Sequence, residues 1–65
     1  MDFIYILLSG PDWDDITVFL TKEHAIDQSK KYPNCRVEIF TKNNNSEYVP
    51  TYNYYKNGQY IHVIN

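Results

Sequence analysis

Residues 16–41, ITVFLTKEHAIDQSKKYPNCRVEIFT, decide the fold, because they hold two strand patterns with one helix between them. In the first pattern Ile16, Val18 and Leu20 alternate with Thr17 and Phe19, the period of two that a strand requires. Thr21 then offers a hydroxyl to an unpaired amide of a first helical turn. Glu23 stands where the helix dipole favours negative charge, and Lys30 and Lys31 where it favours positive charge. Ala25, Ile26, Ser29 and Tyr32 recur at spacings of three and four, which gives a helix over 22–31 one face to bury. Pro33 stops it, since the residue before a proline avoids the helical region. Beyond the stop, Cys35, Val37 and Ile39 alternate with Arg36, Glu38 and Phe40, as in a half-buried strand over 35–41.

Working outward, residues 3–8 (FIYILL) are apolar at every position and suit a central strand. The turn chemistry of 9–12 (SGPD) separates them from the strand at 16–20. On the other side, 42–47 (KNNNSE) is a polar loop, expected to be mobile, and 48–55 reads as extended. Asn57-Gly58 is the clearest hairpin signal, because a type I′ turn needs positive φ at both centre positions. A last strand is expected over 59–64. The order is β-β-α-β-β-β: an α+β fold in two layers, one short helix on a four- or five-stranded, mainly antiparallel sheet. The β-grasp arrangement is one familiar topology of this kind. Residues 1–65 form a single domain, with a core expected from Ile6, Leu8, Val18, Ile26, Val37 and Ile39.

Sixty-five residues supply only a small core. Cys35 is the one cysteine, so no internal disulfide can form, and a lone thiol fits a reducing compartment. Association with a partner or with itself is then the available source of extra stability. The net charge is −2, and Lys30-Lys31 is the one basic doublet, which argues against binding a nucleic-acid backbone. The apolar run 3–8 is too short to span a bilayer and follows Asp2, so a soluble, non-membrane protein is expected.

Catalytic and metal chemistry finds little material. Asp12, Asp14 and Asp15 flank Trp13 in an acidic loop, but hard cations need six or more oxygen ligands and the spacing fits no EF-hand. His24, His62 and Cys35 lack paired ligand spacing for zinc. Cys35 follows the negative end of the helix dipole, which disfavours a reactive thiolate, and it alternates with core positions. Two glycines cannot build a phosphate loop. No catalytic residue, metal or cofactor is expected, and the protein reads as a non-enzyme.

Seven tyrosines are the informative feature. Tyr48, Tyr52 and Tyr54 fall on one side of a regular strand, with Thr51 and Tyr55 on the other, and Tyr60 follows the hairpin. One helix covers one sheet face, so the other face is expected to present rings. Tyr52, Tyr54, Tyr60 and Phe40 are the candidate interaction surface, since Tyr buries large area while its hydroxyl stays satisfied. The segments 31–40 (KYPNCRVEIF) and 48–58 (YVPTYNYYKNG) resemble the small uncharacterised proteins of giant nucleocytoplasmic DNA viruses. That resemblance implies a viral origin, with host cytoplasm or the virion as the setting, and it brings no catalytic residues. The reading is a non-enzymatic protein–protein interaction module that self-associates or docks on a host or virion protein. The alternative is a small metal-dependent enzyme or accessory factor using the loop Asp12 to Asp15.

Overall fold

The computed structural model describes residues 2–9 and 15–63. Strands β1 (Phe3–Leu8) and β2 (Ile16–Phe19) precede helix α1 (Lys22–Lys31), and β3 (Arg36–Lys42), β4 (Tyr48–Lys56) and β5 (Gln59–Ile61) follow it. They form one sheet in the order β2-β1-β3-β4-β5, with every neighbouring pair antiparallel. Because β2 and β3 both run antiparallel to β1, they are parallel to each other. The helix between them therefore crosses over β1, which lays it on one sheet face. The result is the expected two-layer α+β fold.

The helix begins where the local chemistry places it. Thr21 is extended (φ −122°, ψ 146°) and its Oγ1 accepts from the His24 N–H at 3.2 Å. At the other end the Tyr32 N–H reaches the Gln28 carbonyl, and Lys30 and Lys31 lie in the last turn. Ala25 and Ser29, one turn apart, are fully buried, and Ile26 packs beside them. Two such small side chains let the helix sit close to the sheet. The bulk of the core then comes from strand residues: Leu7, Phe19, Val37, Ile39 and Tyr55.

Those five residues share one face by register. Leu7 pairs with Val37, Tyr5 with Phe19 and Ile39, and Val37 with Tyr55. This corrects part of the expected core. Val37 and Ile39 are buried, but Ile6 is only half-buried, and Leu8 and Val18 are 41 % and 50 % exposed. Ile6 faces Val18 and Leu8 faces Ile16 on the side away from the helix. In β2 it is Phe19 that turns inward, where its ring meets that of His24 at 4.6 Å. Ile26 is half-buried at the margin, Tyr32 is exposed, and Cys35 is partly buried against the core.

Turns are built as their residues require. Asn57 (φ 50°) and Gly58 (φ 79°) both adopt positive φ between the paired residues Lys56 and Gln59. The Gly58 N–H donates to the Ser29 hydroxyl at 2.9 Å, and that hydroxyl donates to the Ile26 carbonyl at 2.7 Å. The hairpin is thus tied to the middle of the helix. The polar loop after β3 is hydrogen-bonded through Asn43, whose side-chain oxygen accepts from the N–H groups of Asn45 and Glu47. The last strand is shorter than expected, ending at Ile61.

Candidate functional site

The face away from the helix is laid out by the ladder. Ile4, Ile6 and Leu8 of β1 stand opposite Phe40, Glu38 and Arg36 of β3. Ile16 and Val18 of β2 flank them on one side, and Tyr54 and Ile61 on the other. None of these residues is buried, and the core residues that α1 covers lie on the opposite face. The buried strand residues lie on the helix face; Leu8 and Val18 are exposed on this face, and Phe3 and Tyr60 are exposed on the helix side.

Arg36 and Glu38 are the charges in the middle of the open face. Arg36 Nε lies 2.6 Å from Glu38 Oε2, and the guanidinium sits over the Tyr54 ring at 5.0 Å. The pair is neutral as a unit and its cation is held against an aromatic ring. Lys42 and Lys56 stand at strand ends on the same side.

The expected aromatic surface divides in the structure. Phe40 and Tyr54 do lie on the open face. Tyr60 does not: it pairs with Tyr55 on the helix face, where their rings are 5.7 Å apart. Tyr52 belongs to neither regular face, because β4 is irregular there. Between the pairs Phe40–Pro50 and Glu38–Tyr54, β3 has only Ile39, whereas β4 has Thr51, Tyr52 and Asn53. This bulge puts Tyr52 at φ 70° with 61 % of its surface exposed. Two extra residues preserve the alternation on either side, so Tyr54 still faces outward as a regular strand predicts.

The bulge also shapes a second surface, on the helix side but beyond the helix. There a half-open cleft of about 220 Å³ lies between the rings of Phe3, Tyr5, Tyr55 and Tyr60. Ile39, Thr51 and Asn53 complete it. Thr51 Oγ1 donates to the Ile39 carbonyl at 2.8 Å and accepts from the Asn53 N–H at 3.1 Å. The Asn53 side-chain oxygen accepts from the Val63 N–H at 3.0 Å. Burial is the main reason that the phenols of Tyr5 and Tyr55 ionise above their usual value of 10.0, reinforced for Tyr5 by Tyr55 and for Tyr55 by Tyr60. Both are neutral at physiological pH.

The remaining candidates stand apart. Asp12 and Asp14 lie outside the described residues. The backbone carbonyl of Asp15 accepts from the N–H and the hydroxyl of Ser9. Among the described residues no group of three or more His, Cys, Asp or Glu side chains is placed to hold a metal. Among them, too, no helix is long and apolar enough to cross a membrane. The chain matches no protein-family model, no curated protein and no solved structure.

Proposed function

We propose that this protein is a non-enzymatic interaction module whose open sheet face meets the same face of a second copy. The carrying observation is the partition of the strands: the buried residues turn to the helix, and Leu8 and Val18 on the opposite face are exposed. The central Arg36–Glu38 pair cancels its own charge, so two copies can approach without like-charge repulsion at the contact. A two-fold axis lets one patch serve both partners. Phe40 and Tyr54 supply rings of the kind that dominate such contacts. The resemblance to viral proteins supports a setting in host cytoplasm or the virion.

Size sets the expected strength. Strands about 4.8 Å apart and about six residues long give a face of roughly 20 by 20 Å. Two such faces bury about 800 Å² in total, less than a stable interface needs, so the association expected is weak and transient. Light scattering after size exclusion, over about 10–500 μM, tests this. The mass should rise from monomer to dimer, and Phe40→Ser with Tyr54→Ser should hold it at monomer while circular dichroism still reads as folded. A parent protein that stays monomeric throughout would overturn the proposal. So would a stoichiometric complex with a different protein that uses this face in preference to a second copy.

A further inference from the structure

The cleft on the helix side is independent of the open face and has its own chemistry. Three of its rings, those of Tyr5, Tyr55 and Tyr60, are not parallel plates. Tyr5 and Tyr55 are inclined at 46° with centroids 6.2 Å apart, and Tyr55 and Tyr60 at 58° with centroids 5.7 Å apart. Rings inclined in this way cannot all lie flat on one planar ligand. They can all touch a compact, rounded one. Among the described residues no charged side chain lines the cleft. The cation–π contacts among the described residues involve Tyr32 and Tyr54 instead. At about 220 Å³ the cleft exceeds the roughly 150 Å³ that suffices for benzene.

A backbone feature singles out the same place. Thr51 and Asn53 both line the cleft, and Tyr52 between them adopts a positive φ, a strained conformation for an L residue with a large side chain. Straight alternation would also put both residues on the helix side. The bulge, however, sets three residues of β4 against Ile39 alone and so widens the wall of the cleft. Strain that shapes a concave, ring-lined surface is a reason to look for a ligand there.

We infer that the cleft formed by Phe3, Tyr5, Tyr55 and Tyr60 binds a methylated ammonium group, as carried by choline or by a trimethylated lysine side chain. Such a cation is rounded, has an apolar skin of methyl groups, and is attracted to the negative faces of aromatic rings. The phenols remain neutral, so the attraction is to rings and not to phenolate. Glu23 lies near enough to bear on both Tyr5 and Tyr55 and favours a cation, while Lys22 acts on Tyr5 in the opposite sense.

The test uses choline, its neutral isostere 3,3-dimethyl-1-butanol, and N-ε-trimethyl-lysine, each titrated into the whole protein and followed by proton NMR. Methyl protons held among ring faces should move upfield and saturate. The neutral isostere should bind about tenfold more weakly, the range expected for a partly desolvated cation–π contact. A tighter trimethyl-lysine than choline would assign the source as a modified protein, and the reverse order a small metabolite or headgroup. Tyr60→Leu removes a ring that is 53 % exposed, so the fold should survive while binding falls severalfold, and Tyr60→Phe should retain it. Should Tyr60→Leu fail to fold, Phe3→Leu, at a position 47 % exposed, provides the same comparison. Equal affinity for the neutral isostere, or no saturable upfield shift with folded protein, would overturn the inference.

Discussion

Leu7 and Leu8 are adjacent, chemically identical and on opposite sheet faces, which makes them a direct test of the packing. Leu7 is 4 % exposed in the core with Val37 and Phe19, whereas Leu8 is 41 % exposed on the open face. Leu7→Ala removes buried methyl groups and leaves a cavity under the helix, at a cost of about 2–5 kcal/mol. Leu8→Ala trims a side chain that is already 41 % exposed and forfeits about 1 kcal/mol of partial burial. A domain of this size has a total stability of about 3–5 kcal/mol. Leu7→Ala should therefore be substantially unfolded at 25 °C, and Leu8→Ala folded with a melting temperature lower by about 4–8 °C. Urea unfolding followed by far-ultraviolet circular dichroism, at protein concentrations below a few micromolar, reads this difference. At higher concentration the parent should gain stability from association and Leu8→Ala should gain less, because ligation of the native state alone is stabilising. Equal losses at low concentration, or a larger loss for Leu8→Ala, would refute the assignment of faces.

Other expectations follow from single contacts. A Cβ at Gly58 would stand 2.6 Å from Lys30 Cε at φ +79°, so Gly58→Val should cost at least about 1–2 kcal/mol, and adding Lys30→Ala should recover only the steric part. Thermal melts of the two variants separate the terms, and an unaffected Gly58→Val would mean the turn has another geometry. Tyr52→Gly should stabilise the monomer by about 1 kcal/mol by relieving a positive φ, unless the ring's packing outweighs it; a loss in urea midpoint would show that it does. The Tyr5 and Tyr55 phenols ionise above their usual 10.0 in the folded protein, so the unfolded chain loses these protons first as pH rises. Their contribution is fully present below about pH 10 and is lost as pH climbs through the raised folded values. Stability measured from pH 8 to 11 should fall at the alkaline end, and Tyr55→Phe should flatten that fall.

The helix could be read residue by residue, because its ends are set by local chemistry at Thr21 and Pro33. The Asn57-Gly58 turn was legible for the same reason. The face of β3 was also evident, since Arg36 and Glu38 alternate with Val37 and Ile39. The faces of β1 and β2 were not. Residues 3–8 are apolar throughout, so no alternation tells Leu7 from Leu8, and in the strand expected over 16–20 Ile16, Val18 and Leu20 outnumber the Phe19 that packs inward. Only pairing settles it: Val37 lies opposite Leu7, and Phe19 opposite Tyr5, which carries the face of β3 across the sheet. Of the candidate surface, Phe40 and Tyr54 followed from alternation, whereas Tyr60 lies on the helix face through its pairing with Tyr55. The bulge at Tyr52 had no glycine to announce it, and the aromatic cleft that depends on it went unseen.

Pro50 has a further consequence. Strand β5 pairs only with Tyr54, Tyr55 and Lys56, so the first half of β4, which pairs with β3 on one side, is not covered by β5 on the other. An incoming strand there would meet a missing N–H at Pro50 and a reversed backbone at Tyr52. A continuous ladder cannot grow past these two residues. The opposite border, β2, has only four residues to offer. A chain with so much exposed aliphatic surface and two inviting borders would polymerise into fibrils by edge addition. With its borders blunted, the sheet resists growth by edge addition.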